Sequence, residues 1–299
     1  MISLPVVPPG APVPPKLSRR AFLKRASLVA GTAGLGLADY AWAIEPNEID
    51  VRHVTLKLER LSPAFDGFKI ALLSDLHFGP YTGEREIGAA VDAVNRLHPD
   101  MVALLGDFVT EPAIGGKRSA AKKADPCAKV LARLQSRLGS FAVLGNHDAV
   151  TNPNFVAEQL ASRGISLLQN SNHAIEQDGG RLWLLGTNDA LESNCDIDAA
   201  VASVPQGEIK ILLAHEPDIV DQSAKLGIDV QFSGHSHGGQ VRAPGLAPLY
   251  LPPMGIKYYE GYYRVGGLQL YTNRGIGTVG LPFRFLCPPE VTLVTLRAA

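Results

Sequence analysis

The chain is short of cysteine: only three among 299 residues, Cys127, Cys195 and Cys287, widely spaced and odd in number. That excludes a disulfide framework and a CxxC or zinc-ribbon site, and leaves ordinary thiols. A surplus of charge is also missing, with 28 basic against 29 acidic side chains. Such a chain has no bulk field to hold a polyanion, so no nucleic-acid partner is expected. Long apolar runs are absent too. The N-terminal stretch 26–38 is rich in Gly and Ala and too short for a comfortable membrane span. No internal repeat and no linker-like stretch breaks residues 48–299, so one domain is expected there. What is present is apolar material, 46% of all residues, enough to bury a sizeable core.

Residues 1–43 read as an address rather than fold. A proline-rich leader, 1–17, precedes Ser18-Arg19-Arg20-Ala21-Phe22-Leu23-Lys24, which matches a twin-arginine export signal. The modestly apolar run follows, and Ala41-Trp42-Ala43 offers an A-x-A cleavage site. The expectation is passage through the twin-arginine translocase to the periplasm or cell envelope, with an uncleaved anchor as the alternative.

From residue 53 the sequence alternates strand and helix patterns. Apolar runs at 68–74, 101–105, 141–144, 209–214 and 229–233 have the character of buried strands. Helical spacing is found at 84–97, within 117–138, and at 155–163 and 218–226, and further short strands at 166–168, 173–176, 181–185, 268–272 and 291–296. The first half is βαβ and the second richer in strands, which suggests two sheets packed together with helices outside. Five strand ends finish in metal-ligand residues: Asp75 and His77, Asp107, Asn146 with His147 and Asp148, His215, then His235 and His237. In open parallel sheets the working crevice lies at the carboxyl ends of the strands.

The donor set Asp75, His77, Asp107, Asn146, His215, His235 and His237 mixes carboxylate, amide and imidazole and contains no thiol. It suits Mn, Zn or Fe. Seven donors are too many for one tetrahedral ion and suit two ions bridged by a carboxylate. Taken singly, Asp75 and Asp107 also read as helix N-caps, Asn146 as a left-handed turn residue, and His215 as a surface histidine.

Taken in order, Asp75-x-His77, Gly106-Asp107, Gly145-Asn146-His147-Asp148, His215 and Gly234-His235-x-His237 resemble the five blocks of the calcineurin-like metallophosphoesterases. Residues 273–277 resemble the exported bacterial branch. The resemblance implies an α/β fold, a four-layer α/β/β/α sandwich of two mixed sheets flanked by helices. It implies two divalent cations: Asp75, His77 and His237 on one, Asn146, His215 and His235 on the other, with Asp107 bridging. It also implies phosphoester hydrolysis by a metal-bridged hydroxide. His147 is then the general acid, and Asp148 its orienting neighbour. Arg274 is a candidate substrate-binding residue, its fork on a phosphate oxygen, with a structural salt bridge as the alternative. The expected substrate is small or lipidic: a phosphodiester or pyrophosphate of an envelope lipid or nucleotide-sugar. Phosphomonoester or phosphoprotein hydrolysis, or metal binding without turnover, is the alternative. Residues 244–263, rich in Pro and Tyr, read either as a packed loop or as a wall over the site that meets substrate or lipid headgroups.

Overall fold

The computed structural model describes residues 18–111 and 116–299, so the proline-rich leader expected at 1–17 lies outside the described residues. Contacts divide the chain into two units, Met1–Tyr40 and Ala41–Ala299. In the first, helix α1 (Arg19–Asp39) is capped by Ser18, whose Oγ accepts from the Ala21 N–H, and it buries no residue. Among the described residues no helix is long and apolar enough to cross a membrane.

The second unit is a four-layer sandwich. One six-stranded sheet contains β1 (Asp50–Leu58), β2 (Lys69–Leu73), β3 (Met101–Leu104), β4 (Ser140–Ala142) and β5 (Ile165–Leu167). The C-terminal strand β12 (Glu290–Ala298) lies between β1 and β2, parallel to the first and antiparallel to the second. The other six-stranded sheet runs β10-β11-β9-β8-β7-β6. Its members are β6 (Ser171–Gln177), β7 (Gly180–Gly186), β8 (Lys210–Leu213), β9 (Val230–Ser233), β10 (Gly261–Val265) and β11 (Leu268–Thr272). Both sheets are mixed, with antiparallel pairs at β6/β7 and β10/β11 in the second.

The continuous apolar runs have a simple cause: both faces of the central strands are covered. Ile70, Leu72, Met101 and Ala103 turn toward the other sheet and meet Leu182, Leu184, Ile211, Leu213 and Phe232. The alternate residues Ala71, Leu73, Val102 and Leu104 turn outward onto α2 (Glu84–Arg96), α4 (Ala124–Leu131) and α6 (Pro153–Ala161). On the far side Leu212, Leu268 and Leu270 pack under α7 (Ile197–Val201) and α8 (Val220–Ser223).

Some local expectations change. The helix expected within 117–138 is two short ones, α3 (Lys117–Ala121) and α4, and it ends at Leu131. The stretch 218–226 is a single α turn between 3-10 turns, opened by Pro217 and closed by Gly227 in the left-handed region. Three elements lay outside the sequence reading. Helix α7 is too short to show a period, although Asp196 caps it through the Ala199 N–H. Strand β10, inside the tyrosine-rich stretch, is recruited by pairing with β11. A short helix, α5 (Asn146–Thr151), also starts directly at the fourth strand end.

Candidate metal centre

The sandwich brings five strand ends to one place. Asp75, Asp107 and Asn146 follow the neighbouring parallel strands β2, β3 and β4. His215 and His235 follow β8 and β9, which are parallel neighbours in the other sheet. Five of the seven donor residues turn out of their strands through positive φ: Asp75 (50°), His77 (46°), Asp107 (56°), His235 (69°) and His237 (51°). That region is costly for a side-chain-bearing residue, of order 1–3 kcal/mol each, and such strain collects at functional sites. Glycine occurs where the two sheets come closest. A Cβ on Gly145 would overlap Asp107 Oδ1 and lie 2.7 Å from His215 Nε2, and one on Gly234 would overlap the side chains of Ser74 and Asp75.

The donor atoms converge in two groups. On one side, His77 Nε2 and His237 Nε2 face each other at 2.9 Å, and His237 Nε2 is 3.5 Å from Asp75 Oδ1. On the other, His215 and His235 meet edge to face with ring centroids 5.0 Å apart. Asp107 stands between the groups: its Oδ2 is 3.4 Å from His77 Nε2 and 3.3 Å from His215 Nε2. Those two separations exceed a good hydrogen bond and suit donors that share an ion. Backbone carbonyls set two tautomers. His215 Nδ1 is 2.7 Å from the Leu105 carbonyl and His235 Nε2 is 2.8 Å from that of Pro253. Each contact leaves the opposite ring nitrogen as the free donor, a usual arrangement behind a metal-bound histidine. His215 Nε2 and Asn146 Oδ1 are buried with no hydrogen-bond partner, an expensive state for polar atoms unless an ion is meant to satisfy them. The residues therefore fit a pair of divalent cations.

Electrostatics agree. Burial pulls His77 down to about 3, His235 to about 4 and His237 well below the ordinary histidine range, so all three rings stay in the neutral, ligating form. Burial pushes Asp75 up to about 6. For Asp107 burial also pushes upward, but the attraction of His215 and His147 outweighs it and holds the carboxylate well below its usual range. For His215 burial pulls down, and the charge of Asp107 and its contact with the ring override it, so the metal-free ring is raised well above the ordinary histidine range.

The simpler readings of these residues fail. The N-cap positions of α2 and α5 are Gly83 and Gly145, not the aspartates. His215 is fully buried. Asn146 opens α5 without entering the left-handed region.

Two sequence-based assignments are corrected. Asp148 does not orient His147. Its carboxylate accepts from the N–H groups of Phe108, Val109 and Gly145, and so ties the fourth strand end to the loop that carries Asp107. The His147 ring is held instead by the Glu111 N–H, which donates to Nδ1 at 2.9 Å, and it stands edge-on against His77. Arg274 is no phosphate clamp. It is buried, with Nε 2.5 Å from Glu290 and a terminal nitrogen 2.8 Å from Asp50, so its fork is already filled by carboxylates.

Sequence reasoning missed Ser74, which donates to Asp75 Oδ2, and Glu216, a buried acid grouped with His215 and His235. Burial, then a hydrogen bond with Asp189, raises Glu216 well above the usual range. Its position directly after His215 was the only signal. The site opens into a cavity of about 650 Å³. Asp107, Asn146, His147, His235 and His237 line its floor; Leu191, Val241, Leu249, Tyr250, Val279 and Leu281 line its walls.

Two back-to-back mixed sheets, with oxygen and imidazole donors gathered where their strands end, define an α/β sandwich with a candidate metal centre. The chain belongs to the calcineurin-like phosphoesterase family, which residues 68–239 match. It is 32% identical over 289 residues to the "Uncharacterized metallophosphoesterase YkuE" of Bacillus subtilis (strain 168), across 95% of this chain and 99% of that one. It is 30% identical over 287 residues to "Phosphodiesterase YaeI" of Escherichia coli (strain K12), across 94% and 99%. Among solved structures it is similar to a dimetal phosphatase from Danio rerio, with a TM-score of 0.45 and 15% identity over 71% of this chain and 88% of that chain.

Proposed function

We propose that this protein hydrolyses a phosphodiester or diphosphate whose organic arm is apolar, the phosphoester of an envelope lipid. The observation that carries the hydrolase reading is Asp107 Oδ2, 3.4 Å from one histidine nitrogen and 3.3 Å from another on the opposite sheet. Asp75, His77 and His237 would hold one cation and Asn146, His215 and His235 the other, with Asp107 shared. When bound, two divalent cations of the Mn, Zn or Fe type supply Lewis acidity toward phosphoryl oxygens and lower the pKa of an attacking water. His147 acts on the leaving group. With the Glu111 N–H donating to Nδ1, the neutral ring carries its proton on Nε2, which donates to the departing oxygen. Full transfer as a general acid requires that amide contact to be given up, because an imidazolium has no free Nδ1 lone pair.

The apolar walls support the lipid arm. Leu249 and Tyr250 line the cavity yet are 77% and 73% exposed, and Leu281 is 61% exposed. A nucleotide-sugar would set its hydroxyls against these side chains; an acyl or prenyl chain would cover them. The same rim suits peripheral contact with a membrane. Export through the twin-arginine route to the periplasm or envelope belongs to this reading and is supported by the Ser18-Arg19-Arg20 sequence at the start of α1. An Arg19→Lys/Arg20→Lys chain should stay in the cytoplasm, and undiminished export would sink that part.

The test uses full-length protein loaded with Mn²⁺ and offered bis-p-nitrophenyl phosphate and short- and long-chain lipid phosphodiesters. Turnover should vanish with EDTA and with Asp107→Asn. Replacing Leu249 and Tyr250 by serine should lower the long-chain to short-chain turnover ratio by roughly tenfold or more, since each buried apolar side chain is worth about 1.5–3 kcal/mol. An unchanged ratio removes the lipid arm, and absence of any phosphoester turnover removes the hydrolase.

A further inference from the structure

Ahead of β1 the chain makes a 3-10 turn, Glu45–Asn47, and Glu45 is only 2% exposed. Glu45 belongs to none of the donor groups, yet its carboxylate is fully engaged. It accepts from the N–H groups of Leu286 at 3.0 Å and Cys287 at 2.5 Å. Leu286 lies at φ 55°, so these bonds hold a turn that the backbone itself disfavours. Two hydrogen-bonded paths lead from this turn to the donors of a single ion.

The first path runs through Cys287, whose buried thiol donates to the His237 carbonyl at 3.2 Å. The second runs through Arg284, which is fully buried and whose own N–H donates to the Ala41 carbonyl at 2.9 Å. The Arg284 guanidinium donates to the carbonyls of Arg274 at 3.0 Å, Gly275 at 3.1 Å, Gly277 at 2.7 Å and Cys287 at 2.9 Å. The 274–277 turn in its turn donates from Ile276 to the Ser74 carbonyl at 3.0 Å and from Gly277 to the Asp75 carbonyl at 2.7 Å. Both paths therefore end on the Asp75–His77–His237 side of the centre.

We propose that Glu45 is a positioning residue for the ion held by Asp75, His77 and His237, and that residues 41–47 are a working strap of the catalytic body. The strap fixes the backbone at His237 and at Asp75, two residues whose positive φ puts them in the small, disfavoured left-handed region. The other ion, on Asn146, His215 and His235, is touched only at one remove, through the His235 N–H that donates to the Asp75 carboxylate at 3.0 Å. One consequence concerns Ala41-Trp42-Ala43, which reads as a processing site in the sequence. Ala41 is 8% exposed and bonded to Arg284, so a cut after Ala43 would remove part of the proposed strap.

This inference rests on the two-ion reading above, and the experiment separates the two. Mn²⁺ is titrated calorimetrically into the metal-free full chain, its Glu45→Ala and Glu45→Gln variants, and Cys287→Ala. The native chain should take up two ions. Glu45→Ala should weaken one of them by about 10–100-fold, the range for partners behind metal ligands, and weaken the other by less than about 10-fold; equal weakening of both overturns the inference. Glu45→Gln keeps one acceptor oxygen and should fall in between, which keeps the test open if the alanine chain does not fold. Cys287→Ala should weaken the same ion. A merely structural Glu45 would lower the melting temperature while both affinities stayed at their native values, and that result in Glu45→Gln and Cys287→Ala overturns the inference alone. A native chain that takes up no pair of ions overturns the underlying reading as well. The mass of exported protein should include residues 41–43; a chain starting at Ile44 with both ions at native affinity contradicts the strap.

Discussion

Asp107 follows an apolar strand, as many N-capping aspartates do, but it opens no helix of its own and instead meets the first turn of α5 from another loop. Oδ1 accepts the His147 N–H at 2.9 Å, and Oδ2 is left between two histidine nitrogens. Asparagine would keep the shape and lose the charge. Asp107→Asn should therefore cost more than the roughly 10–100-fold typical of residues behind the ligands, read as turnover together with a drop below two bound ions. His215 gives a pH prediction with a definite sign. Its metal-free ring is held protonated well above 6.5, and an ion needs it neutral. Loading at neutral pH should thus release protons, visible as a buffer-dependent calorimetric heat, and affinity should rise with pH until the ring's raised value is passed; uptake with no proton release contradicts this. Arg274 belongs to stability. Removing the guanidinium leaves the buried charge of Glu290, 2% exposed, with only the neutral donors Tyr271, Thr292 and Asn273, so Arg274→Met should cost about 3–5 kcal/mol in urea unfolding and leave KM unaltered.

At the level of elements, each candidate ligand sits on a turn that departs from a strand whose two faces are both buried. That is why so much of the site was legible: an apolar run followed by Asp, Asn or His is a local pattern, and β2, β3, β4, β8 and β9 each show it. What supports those turns was not legible, because it comes from far away in the chain. Asp148 looked like a partner for its neighbour His147, yet its oxygens reach back to Phe108 and Val109. Arg274 read as either a phosphate fork or a structural salt bridge, since nothing local shows that Asp50 and Glu290 will flank it. Gly234 tests how tightly the elements meet. A Cβ there would overlap Ser74 Oγ and Asp75 Oδ2 across the gap between the sheets. Gly234→Ala should push β9's end away from β2's and lower metal stoichiometry while far-ultraviolet circular dichroism stays native; two ions bound at native affinity would show that the junction is looser than the packing implies.

For the molecule as a whole, the centre is a seam between two sheets that the interior core clamps together. The pairing of β12 between β1 and β2 joins the last strand to the first two, a long-range choice that no periodicity reveals. Once made, it sets Glu290 beside Arg274 and closes the wall behind Asp75. The seam also concentrates cost. Two aspartates and four histidines are buried together, five of the seven donor residues lie at positive φ, and several polar atoms there have no partner. Without cations this is the least favourable part of the fold, and the unfolded chain has no such cluster to offer them. Cations therefore bind the folded state alone, and each stabilises it by about 2.7 kcal/mol at one hundred times its dissociation constant. For a domain of this size each 1 kcal/mol moves the melting temperature by roughly 2–4 °C. Saturating Mn²⁺ should accordingly raise the midpoint by roughly 5–10 °C per ion over EDTA-treated protein, and Asp107→Asn should lose most of that gain. A midpoint indifferent to EDTA would mean that the buried donors satisfy one another and that the seam is a packing device, not a metal centre.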